Sequence, residues 1–249
     1  MSALSVRALS IYHEGHLVVQ PFDWSVEAGE KWAVLGVNGA GKSSVIHALL
    51  GLNRQNNPQV WLDSVSLSAL SAKQQAASRV YVPQRYDEPF TVTVWQALQS
   101  VVPDADERQC VSALALFGLI GRANAWVHTL SGGERQRLTW AFAHVRSSQQ
   151  TCLGLFDEPL SAQDLAWQQR LLQRLKNLPY AVVAAVHDLN HVMQFASHVL
   201  LLTHDEATGV SSVLAQGCVE EVMQDDLLST AFGVPLKCAE AVHWRTDMT

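Results

Sequence analysis

With 249 residues, 48% of them apolar and 16% charged, the chain can bury a large core and is too apolar to read as disordered. A net charge of −6, with no run of five or more basic residues, argues against nucleic acid as a main partner. No apolar run approaches the roughly eighteen residues that span a bilayer, and no charged-then-apolar leader opens the chain, so a soluble intracellular protein is expected.

The first strong strand signal is KWAVLG (31–36), which runs straight into a glycine-rich loop. From Lys42 to Leu50 the residues suit a helix, stopped by Gly51. RVYVPQ (79–84) is the next strand. Between about Val94 and Ser148 the period changes. VTVWQALQSVV, ERQCVSALALFGLI and GGERQRLTWAFAHV place apolar residues at i, i+3, i+4 and i+7, with no convincing strand. CLGLFDE (152–158), AVVAAVHD (181–188) and HVLLLTH (198–204) return to strand character, with Gly154 a weak point in the first of them. These runs are apolar throughout rather than alternating, the pattern of parallel strands covered on both faces. An α/β core with one all-helical insert is expected. The cysteines (Cys110, Cys152, Cys218, Cys238) show no Cys-x-x-Cys spacing and are expected as reduced, unpaired thiols. The eight tryptophans are scattered and read as core or contact residues.

The loop GVNGAGKS fits G-x-x-x-x-G-K-[ST] from Gly36 to Ser43. Glycines let the backbone wrap closely around phosphate and present N–H donors where side chains would clash. Lys42 would reach the β- and γ-phosphates as a point charge, and the Ser43 hydroxyl would ligate Mg²⁺. The matching acids should end another buried strand, and LGLFDEP supplies Asp157 and Glu158. Asp157 would hold the Mg²⁺ shell, and Glu158 would polarise a water for attack on the γ-phosphate.

A second glycine stretch, HTLSGGERQR (128–137), has the S-x-x-E form of a capping box, with Ser131 capping a helix and Glu134 reaching back. Gly132 and Gly133 leave their amides open to an incoming oxyanion, although on the local pattern alone an ordinary capped helix is the favoured reading. One nucleotide has one terminal phosphate, so two such sites in one chain need a reason. HDLNH raises a further question, because His187 and His191 have the i, i+4 spacing of a zinc helix. Asp188 stands where a metalloprotease has glutamate, and His187 reads as strand-terminal, which weighs against zinc. No N-K-x-D guanine motif is present, which disfavours a GTPase.

In its LSGGERQR stretch and in the order of its other motifs, the chain resembles the ATP-binding cassette (ABC) ATPases over nearly its whole length. The resemblance implies a P-loop NTPase (RecA-like) core with a mostly parallel sheet, an N-terminal antiparallel β part and an inserted α-helical subdomain. Its implied boundaries are 1–84 and 150–249 for the α/β core and 85–149 for the helical part. It also implies that two cassettes pack head to tail, each ATP being clasped by one chain's P-loop and the other chain's signature, Ser131, Gly132, Gly133 and Glu134. The implied nucleotide-binding residues are Tyr12, as the adenine-stacking aromatic, and Gly36, Asn38, Gly39, Ala40, Gly41, Lys42, Ser43 and Ser44. Gln84 is similar to the glutamine that touches Mg²⁺ and the attacking water, and His187 to the switch histidine on the γ-phosphate. SAQD (161–164) resembles the interface-crossing loop, with Ser161 and Asp164 matching and Gln163 replacing the usual leucine. Val37 and Ser44 replace a common proline and threonine without changing the chemistry.

Implied partners are integral membrane permease subunits docked on the helical part, a second copy of the chain and, indirectly, a periplasmic binding protein. The implied place is peripheral, on the cytoplasmic face of the inner membrane. HDLNH and the tail LAQGCVEEVMQDDLLSTAFGVPL (214–236) resemble importers of metal chelates, with the vitamin B12 group nearest in general character and iron–siderophore and haem importers as alternatives. An ABC protein of DNA repair or translation is the rival of another class. Those relatives generally carry a second cassette, a long coiled coil or a basic surface, none of which is legible here.

Overall fold

The computed structural model describes residues 2–52, 59–86, 91–103 and 105–237, so Cys238 lies outside the described residues. In chain order the elements are β1 (Ser2–His13), β2 (His16–Glu27), β3 (Lys31–Leu35), α1 (Lys42–Leu49), β4 (Gln59–Leu62), β5 (Val65–Ser66), α2 (Ala72–Ser78) and β6 (Arg79–Val82). Three helices follow, α3 (Val94–Val101), α4 (Glu107–Leu116) and α5 (Gly132–Arg146). The chain then alternates through β7 (Leu153–Asp157), α6 (Leu165–Asn177), β8 (Ala181–Ala185), α7 (Leu189–Phe195), β9 (His198–Asp205) and β10 (Val210–Cys218), and ends in α8 (Val219–Val222) and α9 (Asp225–Phe232).

Ten strands form one sheet in the order β5-β4-β1-β2-β10-β9-β3-β8-β7-β6. From β9 to β6 every pairing is parallel, while β1 pairs antiparallel with β2 and β4, and β9 with β10. All five residues of β3, of β7 and of β8 are buried, as continuous apolar runs require. Because side chains alternate across a strand, neighbours in sequence enter different cores. Ala33, Leu35, Val182, Ala184 and Phe156 face the core shared with α3 to α6. Trp32, Val34, Val183, Ala185 and Leu155 face the core shared with α1 and the β1–β2 hairpin.

The N-terminal strands obey a different rule. Phe22, Trp24 and Val26 are buried while Asp23, Ser25 and Glu27 are exposed, the alternation of an antiparallel pair with one wet face. Their two-residue turn places Glu14 at φ +50° and Gly15 at φ +86°, matching a hairpin turn of primed type.

Several expected boundaries shift. The strands at 79–84 and 181–188 stop at Val82 and Ala185, so Gln84 and His187 lie in the loops beyond them. After Val186 donates to Val34 O, the backbone leaves the ladder and Asp188 caps α7 through Asn190 N–H. His187 is therefore not strand-terminal. It also lies outside the helix that carries His191, so the helical face that a zinc pair needs does not form. The helix expected to Leu50 ends at Leu49, with Leu50 its C-cap and Gly51 at φ +71°. Gly154 is no weakness: a Cβ there would stand 2.7 Å from the Phe156 ring and 2.8 Å from Tyr180, so glycine admits both aromatics against the strand.

Candidate active site

The parallel strands β3, β7 and β8 end together, with Val34 beside Ala185 and Ala185 beside Asp157. Loops leaving this edge carry the candidate residues. After β3 the chain turns through Gly36, Gly39 and Gly41, at φ +152°, +86° and +88°. Gly36 and Gly41 are sterically required as well. A Cβ on Gly36 would lie 2.9 Å from Leu202 O, and one on Gly41 would lie 2.8 Å from a Val19 methyl. Gly41 then starts α1 without any side-chain cap, leaving the first amides of the helix to an anion. Asn38 and Gly39 are exposed, Ala40 is buried, and Ser43 and Ser44 are half-buried. The Lys42 ammonium is buried and donates to Gly36 O at 2.9 Å and Val37 O at 3.0 Å. Burial pulls its pKa down, opposed by the carboxylates of Glu158 and Asp157.

Asp157 ends β7 at 2% exposure, and burial pushes its carboxyl above the usual range. Ser43 Oγ donates to its Oδ1 at 2.8 Å, which joins the glycine loop to β7. Glu158 follows at φ +45°, its N–H donating to Ala185 O at 3.0 Å and its Oε2 accepting from Gln84 Nε2 at 2.9 Å. Ser43, Asp157, Glu158 and Gln84 thus form one connected group. A buried carboxylate whose described hydrogen-bond partner is a neutral hydroxyl calls for a cation. Hydroxyl, carboxylate and amide oxygens are the hard donors that suit Mg²⁺.

Residues that the sequence reading did not single out surround this group. Tyr81, on β6, meets His47 of α1 at 3.2 Å, and burial followed by the Asp157 charge pushes its phenol up to about 12. On α5, Gln136 donates to Pro83 O at 3.2 Å and Trp140 to Pro159 O at 3.1 Å, so α5 grips the residues beside Gln84 and Glu158. The available signal was their i, i+4 spacing, which places Gln136 and Trp140 on one helix face.

Ser131 caps α5 as its sequence predicts, its Oγ accepting from Glu134 N–H at 3.2 Å while Glu134 Oε2 accepts from Ser131 N–H at 2.8 Å. Arg122 pairs with Glu134 at 3.0 Å. Ser131 and Gly132 are exposed, and Gly133 is buried against Ala162 and Gln163. Among the described residues, no hydrogen bond joins this turn to residues 36–44. Ser161 N–H bonds Glu158 O at 3.1 Å, and Asp164 caps α6 through Trp167 N–H at 2.8 Å.

Tyr12 is half-buried on β1 opposite Leu17, in the hairpin whose Val18 and Val19 press on Gly41. His187 is exposed and leaves the sheet at the same edge as Asp157, without a described hydrogen bond to the group. His191 lies 3.7 Å from Asp188, and the described residues hold no cluster of three or more His, Cys, Asp or Glu able to bind a metal. Cys110, Cys152 and Cys218 are free thiols. No described helix is long and apolar enough to cross a membrane.

Residues 19–161, more than half of the chain, match the family model described as ABC transporter. The iron(3+)-hydroxamate import ATP-binding protein of Bacillus subtilis is 29% identical, over 94% of this chain and 89% of its own length. The vitamin B12 import ATP-binding protein of Citrobacter koseri is 31% identical, over 86% of each. Among solved structures, a chain of an ABC transporter in an inward-facing conformation superposes with a TM-score of 0.74 at 26% identity, covering 94% of this chain and 90% of that one.

Proposed function

The chain belongs to the ABC transporter family and is an ATPase of it, and from that premise we propose that it powers import of a metal chelate through a separate membrane permease. One observation carries the catalytic part: the end of the glycine loop, Asp157, Glu158 and Gln84 are linked at one sheet edge by bonds of 2.8 and 2.9 Å.

In this reading the amides of Gly36, Asn38, Gly39, Ala40, Gly41, Lys42, Ser43 and Ser44 bind the phosphates, and Tyr12 stacks on the adenine. Lys42 leaves the loop carbonyls for the β- and γ-phosphates. Ser43, Gln84 and Asp157 would hold Mg²⁺, which supplies neutralisation of phosphate charge when bound. Glu158 accepts a proton from the attacking water, Gln84 orients that water, and His187 donates to the γ-phosphate. Nothing covalent forms on the protein. Placement and charge lower the barrier.

The second glycine turn acts on another molecule. Exposure of Ser131 and Gly132, with no bond to the chain's own loop, supports a head-to-tail pair in which each copy completes the other's site across Ser161 and Asp164. ATP binding closes that pair, and hydrolysis lets it open. The helices of residues 85–149 form the docking face for the permease, which places the chain peripherally on the cytoplasmic face of the inner membrane. A periplasmic binding protein takes part only through that permease.

Among cargoes we favour vitamin B12, with iron–siderophore complexes and haem as alternatives. HDLNH, the 214–236 tail and the two import relatives support the group, whereas the subunit itself does not touch cargo. The test is affinity purification of the full chain from membranes, followed by reconstitution of its co-purifying permease in vesicles. ATP-dependent uptake of cobalamin, against ferric hydroxamate and haem, decides the cargo. Purification without any membrane subunit would point to the non-transport ABC class.

A further inference from the structure

Gln163 occupies the place where the family's usual residue is leucine, yet the residue is buried, at 9% exposure. A buried amide must replace its lost water with protein partners. Gln163 finds both of them on α5. Its Nε2 donates to Gly133 O at 3.0 Å, and its Oε1 accepts from Arg137 Nη1 at 3.1 Å. Arg137 is fixed in turn by a 3.0 Å bond to Phe117 O and by the face of Trp167, 4.6 Å away. The approach is close because Gly133 has no side chain: a Cβ there would stand 2.6 Å from Ala162 O.

The loop that carries Gln163 is itself set firmly. Glu158 and Ala162 have φ of +45° and +57°, a region that non-glycine residues hold only when their surroundings impose it. The Ser161–Glu158 bond closes the turn between them at 3.1 Å. A short strap therefore runs from Glu158 to the first turn of α5, and Gln163 is its fastening.

We propose that Gln163 is a positioning residue of the ATPase reaction, tying the signature turn to the loop that carries Glu158. The half-site lent to the partner copy then keeps register with the lender's own catalytic loop. This rests on the proposed function, in which Ser131 and Gly132 serve nucleotide on the second copy. Leucine would fill the space but make neither bond.

Two substitutions dissect the tie. Gln163→Leu removes both bonds, while Gln163→Glu keeps an acceptor for Arg137 and has no hydrogen for Gly133. In the purified full chain, both should lose at least about tenfold in kcat, because a misplacement of about 1 Å can cost about a hundredfold. ATP binding to dilute monomers should stay within about twofold, since the chain's own loop is untouched. A merely structural role would instead lower the melting midpoint and spare kcat of the folded fraction, and that result overturns the proposal.

Mixing provides the second arm. Gln163→Leu chains are combined with Glu158→Gln chains, which have an intact signature and a disabled site. Turnover should recover, because the first chain keeps its own Glu158 and borrows a sound signature. Ser131→Arg combined with Glu158→Gln is the control. Recovery in the control alone means that Gln163 acts within its own site and overturns the proposal. Failure of the control refutes the shared site itself, and the proposal falls with it.

Discussion

Replacing Gly133 by alanine sets two effects of known size against each other. Gly133 is the second residue of α5, where alanine is favoured over glycine by up to about 1 kcal/mol. The new Cβ, however, would lie 2.6 Å from Ala162 O. That oxygen belongs to backbone at φ +57° and is followed by the bonded Gln163 side chain, so it cannot swing aside. Overpacking of this kind costs about 1–3 kcal/mol. Set against that propensity, the contact leaves a net loss of up to about 2 kcal/mol. For a chain of this length the melting midpoint should fall by up to about 8 °C. Relief requires moving either the signature turn or the loop after Glu158, so turnover should fall by about tenfold as well. Differential scanning calorimetry of the nucleotide-free chain and steady-state phosphate release measure the two effects. An alanine variant that melts above wild type with undiminished turnover would refute the steric reasoning.

Glu158→Gln should still bind ATP yet lose about a hundredfold or more in turnover, and gel filtration with ATP should reveal accumulated dimers; wild-type turnover would remove Glu158 from its role. Gly154→Ala should lower stability by about 1–3 kcal/mol despite alanine's better backbone entropy, because the methyl meets the Phe156 and Tyr180 rings at 2.7 and 2.8 Å; an unchanged melt would contradict that packing. Tyr81, with its phenol raised from 10.0 to about 12, binds its proton more tightly folded than unfolded. Stability is unaffected by this group below pH 10, and wild type should lose stability relative to Tyr81→Phe as pH rises from 10 through 12. Parallel curves, or an ordinary phenolate transition by ultraviolet titration, would count against the burial.

Where one physical cause dominates, the sequence is transparent. Gly36 to Ser43 needs glycine for close approach and a lysine for charge, and no common structural role demands that set. The apolar runs of β3, β7 and β8 were equally plain, since burial on both faces leaves no room for polar residues. Strand ends were harder: Pro83 and His187 each extend an apparent run, yet β8 leaves the ladder before Asp188 caps α7, a contact invisible to hydropathy. The individual N-terminal strands are hard to place from apolar runs, although FDWSVE has the two-residue period of a half-wet strand. Gln163 was legible only as a mismatch, because its meaning lies in Gly133 and Arg137, 30 and 26 positions away. Gln136 and Trp140 were hidden for a similar reason, their partners being backbone carbonyls without residue identity.

The sharing of one interior by the inserted helices and the parallel strands limits how this protein can be remodelled. Excising residues 85–149 would strip Val80, Val82 and Phe156 of the side chains that cover them, including Leu138 and Trp140. A chimaera that borrowed only the segment proposed to face the permease from a relative would therefore inherit a mismatched seam. Transplanting docking preference requires carrying the buried half of the seam along with the visible surface.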